Sequence, residues 1–457
     1  MTHKTPHNQR RHFIKVASAA ALLSSLPSYG LPFFKHRAPL RVGLIGAGWY
    51  GSSDLYRLLQ VANVTVTALC DVDGNHLKQT AQMVLERQPN AKRPTLYRDF
   101  RDMLKKHSLD IVLIGTPDHW HALQCLEALK AGAHVYLQKP ISVDVLEGEA
   151  LLAAAKKYDR VVQVGMQRRS TPHLKALKEQ VIDRNLLGKV AHVEMCCYYH
   201  MRANANPTPG PIPDFLDYDL WTGPAPWRPY DRIPHRGWWR AFMEYSNGIV
   251  GDMCVHMLDT VRWMLDLGWP QSVSSHGGIY VQKESKANTP DTQTAVFQYP
   301  DLNCVWQHRS WGTPTDPEYP WAFFIYGEKG TVKGSVMKAE FIPKDPKKEA
   351  MEFTVAYERE AFPEDVNEEG IELHVAPATR AHLLDFLTAI DRGSRPVAAM
   401  EEGHISTASC ILANMAMKLK RPLRYDPITH TVKNDREATE LLARPYRAPW
   451  KHPYSRD

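Results

Sequence analysis

The sequence predicts an α/β chain: a doubly wound parallel sheet first, then an α+β domain on an open, mostly antiparallel sheet. Three observations carry this. A glycine-rich turn, Gly46-Ala47-Gly48-Trp49-Tyr50-Gly51, directly follows a short apolar run at 40–45. Apolar runs of strand length then alternate with helical patterns to about residue 164, the βαβ rhythm of a parallel sheet. Beyond residue 190, strand-like runs succeed one another before two long helical stretches, which suits antiparallel pairing. At 457 residues the chain exceeds one ordinary core, and 44% apolar with 23% charged residues is a globular composition.

The first element is an address. Gln9-Arg10-Arg11-His12-Phe13-Ile14-Lys15 precedes an apolar run at 16–26, and no acid occurs in the first thirty residues. A charged stretch before a short apolar one reads as a signal peptide, and the paired arginines as a twin-arginine signal. The run is too short to span a bilayer. Residues 1–35 are therefore expected to direct export to the periplasm, with no stable membrane association afterwards. Lys4, Arg10, Arg11 and Lys15 supply four of the net +6 charges, so the body of the chain lacks the clustered basic footprint of a nucleic-acid binder. The seven cysteines are scattered, with no C-x-x-C and no zinc spacing, so neither a metal nor a disulfide framework is expected.

Residues 38–167 read as a nucleotide-binding Rossmann domain. Gly46 permits the tight turn, Gly48 lets a pyrophosphate approach, and Gly51 allows close helix–strand packing. A second strand at 64–70 ends at Asp71, placed to bond the ribose hydroxyls of NAD and repel the extra phosphate of NADP. The bland reading of Asp71 is a cap on the next helix. Further strands fall at 110–115, 134–137 and 161–164, with a helix from about His121 to 131. In such sheets ligands bind at the carboxyl ends of the strands.

Two of those ends carry recognisable loops, Thr116-Pro117-Asp118-His119-Trp120-His121 and Gln138-Lys139-Pro140. With the glycine motif they resemble the signatures of the Gfo/Idh/MocA oxidoreductase family, whose usual forms are Thr-Pro-Asn-x-x-His and Glu-Lys-Pro. Asp118 replaces the family's asparagine and Gln138 its glutamate. The resemblance implies an NAD site, preferring NAD to NADP, formed by Gly46, Gly48, Trp49, Tyr50, Gly51, Asp71, Thr116, Pro117, His119, His121, Gln138, Lys139 and Gln167. It makes Lys139 the active-site lysine.

The second domain, 168–430, is expected to hold strands near 190–199, 273–281, 294–299, 304–309, 322–326 and 331–342, and helices near 376–391 and 405–418; 431–457 forms a tail. Gly251-Asp252-Met253-Cys254-Val255-His256 opens a helix in which Asp252 and His256, four apart, share one face. By itself that is an ordinary ion pair; the resemblance makes the two residues partners of the lysine. The stretch 214–240 holds Trp221, Trp227, Trp238 and Trp239 with Tyr230, Arg228 and His235. Trp221, Trp227, Arg228, Tyr230, His235 and Trp238 are the candidates to hold a sugar, since aromatic faces suit its C–H surface. The same rings would equally build a satellite core or a subunit interface. The acidic stretch 358–372 reads as a solvated loop.

The implied activity is hydride transfer to or from a secondary alcohol of a sugar, cyclitol or glycoside. Lys139, Asp252 and His256 are the catalytic set, a carbohydrate is the small-molecule substrate, NAD is tightly held, and the working state is a homo-oligomer. Which of Lys139 and His256 takes the proton stays open. The alternatives are a redox-assisted glycosidase and a non-catalytic sugar-binding protein on the same fold.

Overall fold

A computed structural model describes residues 38–198, 206, 208–232, 238–368 and 372–454; the expected export signal lies outside them. The chain opens with β1 (Leu40–Ile45), whose last four residues are buried, then α1 (Trp49–Val61), β2 (Val64–Cys70) and α2 (Gly74–Arg87). Next come β3 (Thr95–Tyr97), α3 (Phe100–Lys106), β4 (Ile111–Ile114), α4 (Asp118–Lys130), β5 (His134–Leu137), α5 (Val145–Tyr158) and β6 (Val162–Val164). The six strands pair in parallel in the order β3-β2-β1-β4-β5-β6. The order reverses beside β1, and the crevice at that switch point is where a doubly wound sheet takes its ligand. Strand β3 was not expected: three residues after a proline are too few to show a period. Helix α4 begins at Asp118 rather than about His121, immediately after Pro117.

The second sheet has eight strands. They are β7 (Val190–Cys197), β8 (Ser272–Gly278), β9 (Thr292–Gln298), β10 (Asn303–Arg309), β11 (Trp321–Gly327), β12 (Gly330–Ser335), β13 (Lys338–Pro343) and β14 (Met351–Thr354). The order is β14-β13-β12-β11-β7-β10-β9-β8, antiparallel except where β7 meets β10. The run expected as one strand at 331–342 is two, folded back at Val336-Met337. The turn is closed by the Ser335 hydroxyl, which accepts from Met337 N and Lys338 N, and the two residues at its tip are apolar, so the run reads on through it. Helices α6 (Pro172–Leu177), α7 (Tyr218–Thr222) and α8 (Val255–Leu265) lie among these strands in sequence, and α9 (Ala376–Arg392) and α10 (Met400–Leu419) follow them.

The two long C-terminal helices bridge the sheets: α9 packs on α1, while α10 packs on α5 and β8. The acidic stretch is not the solvated loop expected. Glu364 and Asp365 accept from Gln60, Arg380 pairs with Glu358 and Asp365, and Glu368 pairs with Arg57 and Arg87. Its acids cover buried cations of α1 and α9 that would otherwise lie unpaired in a low dielectric. All seven cysteines are free and buried. Among the described residues no helix is long and apolar enough to cross a membrane.

Candidate active site

The glycine turn is built from close approaches. Gly46 has φ +90, a left-handed value suited to glycine, and a Cβ there would sit 2.7 Å from Gly115 C and Thr116 N. A Cβ on Gly51 would fall 1.9 Å from the Gly46 carbonyl oxygen. The turn therefore brings β1, α1 and the end of β4 together, and the first turn of α1 faces a cavity of about 740 Å³. Gly46, Gly48, Trp49, Tyr50, Asp71, Thr116 and Pro117 line it, as do His76 and Arg98. Asp71 accepts from Ala47 N at 2.7 Å and Asp73 N at 2.8 Å, which fastens the turn to β2. The helix cap is Asp73, which accepts from Asn75 N and His76 N.

The other cofactor candidates stand behind this wall. His121 is buried, with Nδ1 2.6 Å from Pro140 O and Nε2 2.8 Å from Thr116 O, so it holds the two signature loops together. Burial pulls its pKa to about 4. His119, likewise held near 4 by burial, has Nε2 3.0 Å from Trp221 O and lines a different cavity, of about 520 Å³. Gln167 donates to the Tyr50 hydroxyl at 2.9 Å. Gln138 donates to Asp54 Oδ2 at 2.7 Å, and burial pushes the Asp54 pKa up to about 7. The carboxyl group absent at 138 is thus supplied from α1, three residues beyond Gly51.

Lys139 leaves the end of β5 and crosses to the second domain. Its Nζ donates to Asp252 Oδ1 at 2.6 Å and to Asp252 O at 3.1 Å, with both side chains nearly buried. Asp252 sits in a π-helical turn, Val250–Cys254, ahead of α8, rather than in the regular helix expected from Gly251. A Cβ on Gly251 would meet Asn247 Cβ at 2.5 Å, so glycine permits this crowded wide turn, a feature frequent at functional sites. Arg240 Nε lies 3.2 Å from Asp252 Oδ2. Burial alone would raise the Asp252 pKa, but Lys139 and Arg240 outweigh it and keep the carboxylate low. Its partners are these two cations, Lys139 as the resemblance implies and Arg240, and not His256 as in a simple i, i+4 ion pair. His256 is buried, with its ring edge-on to Trp321 at 5.6 Å. Burial, then the charges of Lys139 and Arg168, hold its pKa well below the ordinary value, and Nδ1 has no hydrogen-bond partner among the described residues. A neutral imidazole beside a charged ammonium is thereby fixed. Asp118 is buried at the start of α4, and burial pushes its pKa well up.

The aromatic stretch divides. Trp221, Tyr230, Trp239, Tyr218, Phe242 and Tyr245 form a satellite core, with Tyr218 and Trp221 stacked at 5.7 Å. Trp221 and Tyr230, expected against a sugar, line the 740 Å³ cavity, as Asp71 does. Trp227 and Trp238 are 51% and 43% exposed, and neither lines that cavity. Arg228 is engaged by Asp231 at 3.4 Å, Glu244 at 3.3 Å and the Phe242 ring. Rings that pack on one another bury more apolar area than rings spread along a groove, so the set condenses into a core. His235 lies outside the described residues.

Arg240 was missed, because an arginine in a Trp-Trp-Arg run carries no local sign of its partner. Asp54 had a faint one, an acid on the buried face of the glycine-motif helix. Among the described residues Asp144, Glu147 and His452 stand close enough to share a metal ion, but their oxygens already accept from Glu147 N, Arg444 N, His452, Val143 N and the Tyr446 hydroxyl.

The chain is similar to known proteins. Residues 40–166 match the model of an oxidoreductase family's NAD-binding Rossmann fold, and 175–301 with 356–452 match the C-terminal alpha/beta domain of the same kind of oxidoreductase. An inositol 2-dehydrogenase/D-chiro-inositol 3-dehydrogenase of Lactiplantibacillus plantarum is 32% identical over 151 residues, 33% of this chain and 41% of that protein. A glycosyl hydrolase family 109 protein of Shewanella putrefaciens is 25% identical over 258 residues, 46% of this chain and 56% of that one. The chain thus matches about half the length of these relatives. The solved structure of an Agrobacterium radiobacter oxidoreductase in complex with NAD+, L-tartaric acid and magnesium superposes with a TM-score of 0.64 at 15% identity, covering 84% of this chain and 98% of that one.

Proposed function

Because the chain belongs to the Gfo/Idh/MocA oxidoreductase family, we propose that it uses NAD to move hydride to or from a secondary alcohol carbon of a sugar, cyclitol or glycoside. The observation that carries this reading is the buried Lys139–Asp252 pair at the end of β5, with the neutral His256 two positions beyond the wide turn. The residues fit a dinucleotide: Gly46 and Gly51 allow the close backbone approaches that shape the turn, and Gly46, Gly48 and Asp71 border the cavity it opens onto. When bound, the dinucleotide supplies the hydride acceptor.

The rest falls to this chain's own side chains. Lys139 is oriented by two contacts to Asp252 and holds the substrate oxygen, where negative charge develops. His256 takes the hydroxyl proton at Nδ1, the ring nitrogen with no partner in the described structure. A base so placed contributes roughly 10²–10⁴-fold. Asp252 and Arg240 fix the local charge beside Lys139. Asp71 favours NAD over NADP. The signal at 1–35 carries the folded protein to the periplasm, where a homo-oligomer works with its dinucleotide firmly retained.

The test is to identify the nucleotide released from purified protein and then screen sugars, cyclitols and glycosides for a change in nicotinamide absorbance. A protein that takes up NAD, with none of them reducing that NAD, sinks the oxidoreductase reading. The match to a glycosyl hydrolase family 109 protein favours a second reading, in which transient oxidation assists glycoside cleavage. Release of free aglycone without net NADH distinguishes it.

A further inference from the structure

We propose that the segment 213–232 of the second domain is a clamp over the adenosine end of the dinucleotide cavity, and that it sets how fast the cofactor leaves. The inference rests on the dinucleotide reading of that cavity. The segment is fastened to the loop that follows Asp71 by main-chain bonds on three consecutive residues. Asp217 N donates to Val72 O at 3.0 Å, Gly74 N donates to Phe215 O at 2.9 Å, and Leu216 bridges to Asp73. A second fastening lies at α4, where Trp120 Nε1 donates to Leu220 O at 3.1 Å and Trp221 O at 3.0 Å. A third comes from the C-terminal stretch, where Arg447 Nε donates to Gly223 O at 2.9 Å.

Between these points Phe215, Leu220, Trp221, Tyr230 and Arg232 line the same cavity as Asp71 and His76. Phe215 lines it while remaining 39% exposed, an apolar ring that a bound aromatic base would cover. Arg232 and Arg98 add positive charge at the same cavity, suited to a diphosphate. The glycine cradle needs none of this to bind a pyrophosphate. The clamp supplies a wall from another domain that has to detach before the ligand escapes, so it acts on the dissociation rate.

The latch can be opened without touching the cradle. Gly74 is the first residue of α2, a position that accepts proline because its N–H has no partner within the helix, and Asp73 before it has the extended backbone that a following proline demands. Gly74→Pro removes the donor to Phe215 O and sets a ring carbon in the gap between that nitrogen and oxygen, far inside contact distance. Phe215→Ala and Arg232→Ala remove two cavity-facing groups while the latch stays intact. Release of NADH, chased from the loaded protein with excess NAD and followed by fluorescence, is expected to accelerate at least about tenfold in Gly74→Pro and in the Phe215→Ala/Arg232→Ala double variant. Far-ultraviolet dichroism and thermal melting should stay close to wild type. Wild-type release rates in both folded variants overturn the clamp alone. A wild-type protein that takes up neither NAD nor NADP overturns the functional reading and the clamp with it. Should Gly74→Pro fail to fold, the double variant decides.

Discussion

Replacing Lys139 and His256 singly and together tests whether they act as one unit. In Lys139→Ala, Asp252 loses the 2.6 Å contact but keeps Arg240 at 3.2 Å, so no carboxylate is stranded. Breaking a buried pair by removing one partner typically costs about 3–5 kcal/mol, and the second cation brings the expected loss below that range. Lys139 is also the first charge, after burial, that holds the His256 pKa down. Its removal should therefore let that pKa rise, moving the acid limb of the rate profile to higher pH. Each single variant is expected to lower kcat at least about a hundredfold, or roughly 2.7 kcal/mol, with little change in NAD affinity. Independent effects would multiply to about 10⁴-fold, whereas residues sharing one function lose little more together than singly. The assay is steady-state turnover of the substrate found in the screen, with nucleotide binding followed by fluorescence. A double variant showing the full product, or a Lys139→Ala protein with wild-type rates, refutes the assignment.

NAD should bind at least tenfold more tightly than NADP, about 1.4 kcal/mol, because Asp71 faces the cavity; equal affinities in parallel titrations of cofactor-free protein would remove that role. Gly51→Ala places a Cβ 1.9 Å from a carbonyl oxygen, so it should cost roughly 1–3 kcal/mol of stability and abolish nucleotide binding, and unchanged melting would contradict the cradle. Protein purified without added nucleotide should carry close to one NAD(H) per chain. Retention for hours needs dissociation near 10⁻⁵ s⁻¹, a Kd on the order of 10⁻¹¹ M at an association rate of about 10⁶ M⁻¹s⁻¹, and gel-filtered protein that is empty argues against it. Stability should rise with pH between about 4.5 and 6.5. Burial holds His119, His121, His173 and His382 near 4, so the unfolded chain binds protons there that the folded chain refuses. His256 acts in the same sense, and Asp54 and Glu147, held near 7, oppose it in part. Denaturant melts across that range that fall with pH would reverse the argument.

The nucleotide-binding sheet was legible because its signals are local. A strand, a glycine turn and a helix lie within about thirty residues, and Gly51 answers to a contact inside that unit, the Gly46 carbonyl oxygen, while Gly46 also admits the end of β4. The loops at 116–121 and 138–140 were placed by the same strand periodicity. What the pattern could not supply was choice of partner. Periodicity marks Asp252 as a polar residue on a helix but not that Lys139, 113 positions away, and Arg240 would claim it ahead of His256. It marks 358–372 as acidic but not that Arg57, Arg87 and Arg380 would bury its charges. The Trp-rich stretch was ambiguous for the same reason: a ring's hydrophobicity says that it will be covered, not by what. Residues of one local unit meet in most conformations the chain can take, so their spacing nearly fixes the contact. Residues a hundred or more positions apart meet only once both sheets have formed, and there the tertiary packing alone decided which charges are paired and which rings wall the cavity.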